Sequence, residues 1–68
     1  MRLVYNTRNR VYCEFSENVS VEVELQEDAF YIESINNDMV HGGWWGNPDE
    51  NTMKEAISVA INWATGLK

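Results

Sequence analysis

Eight residues, Asn18 to Leu25 (NVSVEVEL), alternate without interruption: Val19, Val21, Val23 and Leu25 fall on one side, Ser20, Glu22 and Glu24 on the other. Successive side chains of an extended chain point in opposite directions, so this pattern is that of a strand with one buried face. A one-residue slip against a neighbour would bury the glutamates, and the pairing register is therefore tightly specified.

The flanking segments obey that constraint. A short hairpin at Ser16-Glu17-Asn18 sets residues 10–15 (RVYCEF) against this strand, with Phe15 opposite Val19, Cys13 opposite Val21 and Val11 opposite Val23. On the other side, Gln26 to Ala29 turn the chain into residues 29–36 (AFYIESIN), with Leu25 opposite Phe30 and Val23 opposite Ile32. Apolar residues meet apolar residues in every pair. Residues 2–6 (RLVYN) have strand composition and precede a short Thr7-Arg8-Asn9 loop, whose asparagine tolerates a left-handed backbone.

Beyond residue 47 the period changes. Asn47-Pro48-Asp49-Glu50 has the elements of a helix start: an N-cap, a proline in the first turn and a glutamate at the third position. Met53, Ile57, Ala60, Ala64 and Leu67 then recur as one apolar stripe that Ile61 and Trp63 widen, and Gly66 suits a C-terminal cap. The expected fold is α+β in one domain spanning residues 1–68. A four-stranded antiparallel meander (1–36) and a Gly/Trp loop (37–47) lead to a helix (48–65) packed on the apolar face as a second layer.

A domain of 68 residues is near the lower limit for folding unaided. One cysteine forbids an internal disulfide, and one histidine with one cysteine falls short of a zinc site, so no metal or cofactor is expected. Close packing must supply the stability, and self-association into a homodimer would add to it. With no leader pattern and no apolar run near 18 residues, the chain reads as a soluble, cytoplasmic protein without membrane contact.

Charge is unevenly placed. Between Val11 and Met53 there is no Lys or Arg, while ten carboxylates fall in that stretch, and the net charge is −6. Such a field repels nucleic acid directly and steers the chain toward basic surfaces. The register derived above sets Tyr12 opposite Glu22, Arg10 opposite Glu24, Glu24 opposite Tyr31 and Glu22 opposite Glu33. One face would thus carry Arg10, Tyr12, Glu14, Glu22, Glu24, Tyr31 and Glu33. Like charges directly opposite on a sheet are unfavourable by a few tenths to about 1 kcal/mol, so folding alone does not favour Glu22 beside Glu33. Tyrosines among carboxylates suit an interface that receives Arg and Lys. An ordinary solvated face with splayed glutamates is the plain alternative, and a divalent cation at the paired glutamates a further one. Trp44 and Trp45 follow Gly42-Gly43; one ring is expected to cap the core and the other to be exposed as a partner contact, and the residue order does not say which.

Catalytic readings are weaker. Cys13 alternates with Val11 and Phe15 on the apolar side, His41 sits in a glycine-rich stretch, and no spacing links the two. Gly42-Gly43 has no phosphate-loop pattern, and Asn47 to Asn51 has no calcium-loop spacing.

In size, acidity and its Glu/Tyr face, the chain resembles the small proteins with which phages and mobile elements disable host machinery: anti-CRISPR and anti-restriction proteins, nucleic-acid mimics and polymerase inhibitors. The resemblance is one of physical style and rests on no motif. It implies a non-enzymatic inhibitor, cytoplasmic in the host, that covers a basic nucleic-acid-binding protein or nuclease complex. Alternating residues on a strand are about 6.6 Å apart, whereas duplex DNA carries a charge every ~1.7 Å, so blocking is favoured over faithful mimicry. Two other readings stand beside it: an antitoxin or immunity protein for a cognate basic toxin, and a structural subunit that self-associates.

Overall fold

The computed structural model describes residues 2–66 and contains five strands followed by one helix. These are β1 (Arg2–Asn6), β2 (Arg10–Glu14), β3 (Val19–Leu25), β4 (Phe30–Asn36), β5 (Met39–Trp45) and α1 (Met53–Gly66). All neighbours are antiparallel, and the spatial order follows the chain order, β1 to β5. The helix packs against the sheet over β3, β4 and β5, making this an α+β fold.

The β2–β3 and β3–β4 registers are those that apolar pairing demands. Cys13 faces Val21, Val11 faces Val23, Val23 faces Ile32 and Leu25 faces Phe30. The Phe15 amide donates to the Val19 carbonyl at 2.8 Å, and the Gln26 amide to the Ala29 carbonyl at 2.9 Å, closing the two hairpins. Val11, Cys13, Val21, Val23, Phe30 and Ile32 are buried together with Ala56, Ala60 and Ala64.

Four strands were expected and five are present. The segment expected to be a Gly/Trp loop is mostly β5, a seven-residue strand that returns from a two-residue turn at Asn37-Asp38. Asn37 makes that turn with φ of 56°, a region asparagine enters more readily than most residues. Two adjacent glycines are poor strand formers, yet here each lies beneath an aromatic side chain. A Cβ at Gly42 would come within 2.9 Å of the Tyr31 hydroxyl, and one at Gly43 would rest 3.5 Å from the Trp63 ring. Glycine in a strand where another group approaches closely is a recognised use of the residue.

The helix begins at Met53, five residues later than Pro48, where it was expected. Asn47 to Asn51 form a separate closed turn. The Asn47 side chain accepts from the Asp49 amide at 2.8 Å, its carbonyl accepts from the Glu50 and Asn51 amides at 2.9 and 2.7 Å, and Asn51 Oδ1 accepts from the Asn47 amide at 3.0 Å. The capping box is Thr52-Met53-Lys54-Glu55: Thr52 Oγ1 accepts from the Glu55 amide at 3.2 Å, and Glu55 Oε1 accepts from the Thr52 amide at 2.9 Å. From this start, Ala56, Ala60 and Ala64 face the sheet, with Met53, Ile57, Val59 and Trp63 flanking them. Ile61 is half-buried, Leu67 lies outside the described residues, and Gly66 belongs to the helix rather than capping it with positive φ.

Alanine at every fourth position lets the helix backbone approach the sheet. Buried Ser34 donates to the Ala60 carbonyl at 2.8 Å, and Asn36 Nδ2 donates to the Ala64 carbonyl at 3.0 Å. Both donors lie on β4 and, with the apolar contacts, hold the helix over the middle of the sheet. The opposite edge is looser. A bulge between Leu3 and Tyr5 interrupts the β1–β2 register, α1 makes no contact with β1 among the described residues, and Leu3 and Val4 are exposed.

Candidate functional site

The strand register fixes which residues share the side of the sheet away from the helix. They are Arg10, Tyr12 and Glu14 on β2; Ser20, Glu22 and Glu24 on β3; Tyr31, Glu33 and Ile35 on β4; and Val40, Gly42 and Trp44 on β5. Glu22 pairs directly with Glu33, Tyr12 with Glu22, and Glu24 with Tyr31, so the sheet brings together the residues expected on that face. Tyr12, Glu14, Glu22, Glu24 and Glu33 are half-buried, while Tyr31 and Trp44 are exposed.

The two halves of this face differ electrostatically. On the β2–β3 half, Arg10 reaches diagonally to Glu22, with Nε 3.2 Å from Oε2 and Nη2 3.4 Å from Oε1, and lies 3.8 Å from Glu24. The Gln26 side-chain amide donates to Glu24 as well. Much of the negative charge here is answered within the chain. On the β4 side, the Glu33 carboxylate has no hydrogen-bond or ion-pair partner among the described residues. It stands between Glu22 on β3 and Gly42 on β5, which presents no side chain.

β5 also settles the fate of the tryptophans. Trp44 pairs with Tyr31 on the outer face, the rings meeting edge to face with centroids 5.1 Å apart, and the indole is 64% exposed. Trp45 turns to the helix side, half-buried with its ring 6.2 Å from Phe30, and is no part of the outer surface. Trp44 also lines a shallow cleft of about 360 Å³ with Gln26, Glu27, Asp28 and Ala29, so the β3–β4 turn brings two further carboxylates beside the exposed indole. Without β5, nothing in the residue order placed Trp44 near Glu27 and Asp28, or Val40 beside Ile35.

The groups with catalytic potential are kept apart. Cys13 on β2 is buried, and desolvation raises its thiol pKa, which disfavours the reactive thiolate. His41 lies on β5 with its ring 4.6 Å from that of Trp63. Strands β3 and β4 intervene, so Cys13 and His41 are about three strand spacings, or roughly 14 Å, apart. Among the described residues no three His, Cys, Asp or Glu side chains converge on a metal position, and no helix is long and apolar enough to cross a membrane.

Comparison with known proteins adds no relative: no family model, curated protein or solved structure matches this chain.

Proposed function

We propose that the chain is a non-enzymatic binding protein that docks on a basic protein surface through its outer sheet face. Inhibition of a nucleic-acid-binding protein, by covering the groove its ligand would occupy, is the activity this implies. The observation that carries the reading is the exposed Tyr31–Trp44 pair beside Glu33, a carboxylate without a partner among the described residues, with Glu27 and Asp28 lining the cleft at the indole.

This combination suits an incoming Arg or Lys. A guanidinium over an indole or phenol face gains about 0.5–1 kcal/mol when exposed and ~2 kcal/mol or more when desolvated, and a neighbouring carboxylate adds a charge-assisted hydrogen bond. Tryptophan and tyrosine are also the residues that most often dominate protein interfaces. The chain's long-range field, with a net charge of −6, favours encounter with a cationic partner and disfavours nucleic acid itself.

The centre of the surface is therefore Glu33, Tyr31 and Trp44 rather than the Glu22–Glu24 side, where Arg10 already competes for the same carboxylates. Tagged protein used as bait in a lysate, eluted with salt, supplies the candidate partner. The purified partner is then titrated with wild type, Glu33→Lys and Trp44→Ala. Each variant should weaken binding by about tenfold or more, as expected for loss of a contact worth ~1.4 kcal/mol or above, and wild-type affinity should fall steeply with salt. Undiminished affinity in both variants would sink the proposal.

A further inference from the structure

The two edges of the sheet are not equivalent. An unpaired edge is a template for another strand, and proteins usually blunt it with bulges, charges or proline. The β1 edge carries a bulge at Val4. The β5 edge pairs with β4 over seven consecutive residues without a register shift and contains no Asp, Glu, Lys, Arg or Pro.

The polarity of that open edge follows from the hairpin. Asn36 and Met39 flank a two-residue turn and so exchange their hydrogen bonds with each other. The Asn37 amide, next in the chain, points the other way, donating to the Asn18 carbonyl at 2.8 Å. Alternation along β5 then directs the amides and carbonyls of Met39, His41, Gly43 and Trp45 to β4. Those of Val40, Gly42 and Trp44 point to the open edge.

We infer that this edge pairs with its own copy, two β5 strands meeting antiparallel about a twofold axis through Gly42 to form a ten-stranded sheet across two chains. The strand's composition is self-complementary in that register. Gly42 faces its counterpart across the axis, Val40 faces Trp44 of the second copy, Met39 faces Trp45, and His41 faces Gly43. The three residues with outward-pointing backbone groups become the hydrogen-bonded pairs. Val40, 60% exposed, and Trp44, 64% exposed, would cover each other on the outer face, and no formal charges are opposed within the new pair of strands. On the outer face across the axis, Glu33 and its counterpart would stand about three strand spacings apart, roughly 14 Å, beyond the ~8 Å screening length at physiological salt. A twofold perpendicular to the sheet keeps both acidic faces on the same side, so the Tyr31–Glu33 surfaces of the two copies face one partner together, with Trp44 partly covered by the second copy's Val40.

Sedimentation equilibrium over a range of concentrations, with amide hydrogen exchange at both ends of that range, tests the pairing. The expected result is a monomer–dimer equilibrium weakened at least tenfold by Val40→Lys and by Trp44→Lys, but unchanged by Glu33→Lys. Circular dichroism serves as the check that each variant is folded. The Val40, Gly42 and Trp44 amides should gain protection as the dimer forms. A chain that is monomeric throughout, a dimer that leaves those three amides as labile as in the monomer, or a dimer that survives both edge lysines would overturn the inference. So would a monomer whose edge amides become protected only on adding the basic partner, which would assign the edge to that partner. Because Glu33→Lys weakens partner binding but not dimerisation, the two proposals fail independently.

Discussion

Strand β4 presents two chemically different surfaces from adjacent residues. Phe30, Ile32 and Ser34 face the helix and are almost wholly removed from solvent, with the Ser34 hydroxyl bonded to a helix carbonyl. Tyr31, Glu33 and Ile35 face outward, where the tyrosine packs on an exposed indole and the Glu33 carboxylate has no partner among the described residues. The first set contributes to stability through area buried and hydrogen bonds satisfied. The second leaves its interactions uncompleted, so substitutions there should change association far more than folding. Each side can be perturbed without the other, and the contrast can be broken experimentally.

The largest effect is expected at Ile32, fully buried between Val23 and Gly43 in the register and packed within the core. Ile32→Ala should cost about 2–5 kcal/mol in urea denaturation. A chain of this length has roughly 3–10 kcal/mol in total, so the loss should be a large fraction of the stability and lower the urea midpoint markedly. An unchanged midpoint would mean that the helix-facing side of β4 is not where stability resides.

Cys13 reports on the same side without altering its packing. Burial raises its pKa in the folded state, so folding favours the protonated thiol. Its contribution is therefore fully present below the unfolded-state pKa, near 8.5, and is lost as pH rises from there through the higher folded value. Alkylation of the native protein at neutral pH should be slower than in urea by orders of magnitude, its rate following the unfolding equilibrium. Rapid labelling without denaturant would show that β2 opens independently of β3 and β4.

A smaller loss is expected at the cap of the helix that covers the buried side. Thr52→Ala should cost about 1 kcal/mol, as loss of an N-cap side chain does, with a parallel fall in the midpoint of denaturation. The corresponding Asn47→Ala change opens the preceding turn but removes no helix cap. If Asn47→Ala lowered helicity more than Thr52→Ala, the helix would be starting at the earlier signal.

That choice of start shows where residue patterns stop being informative. Asn47 to Glu50 and Thr52 to Glu55 both satisfy the spacing of a capping box, and local chemistry alone does not rank them. The folded chain does: Asn47 to Asn51 closes on itself through the Asn47 and Asn51 side chains, and the reciprocal Thr52–Glu55 bonds cap the helix. The pairings of β2, β3 and β4 were legible because alternation specifies both faces at once: any slip that buried a glutamate would also expose a valine. β5 was not, since Gly42-Gly43 erases the alternation at its centre. The close approach that leaves no ordinary space for a Cβ at Gly42, that of the Tyr31 hydroxyl, exists only once β4 and β5 are paired. The roles of Trp44 and Trp45 were hidden for the same reason. They take opposite sides because the strand pairs through both, and the surface around Glu33 could not be completed until Trp44 was assigned to it.

The smallest stability effects should be found on the outer face, and their signs separate its two halves. Glu22 and Glu33 are opposite each other, but Arg10 engages Glu22 and leaves Glu33 facing a like charge. Glu33→Gln should therefore leave stability unchanged or raise it by a few tenths of a kcal/mol, by relieving a cross-strand repulsion. Glu22→Gln removes the same repulsion but also the nearer of the Glu22 and Glu24 carboxylates that Arg10 engages. The guanidinium is half exposed, so that ion pair is worth at most ~1 kcal/mol, and the net change should be near zero or slightly unfavourable. Denaturation of both variants at low salt should thus place Glu33→Gln above Glu22→Gln, and 1 M salt, with a screening length of about 3 Å, should largely erase the difference. If Glu33→Gln were instead the more destabilising of the two, Glu33 would be part of the internal charge balance, and the open half of the face would be structural like the rest.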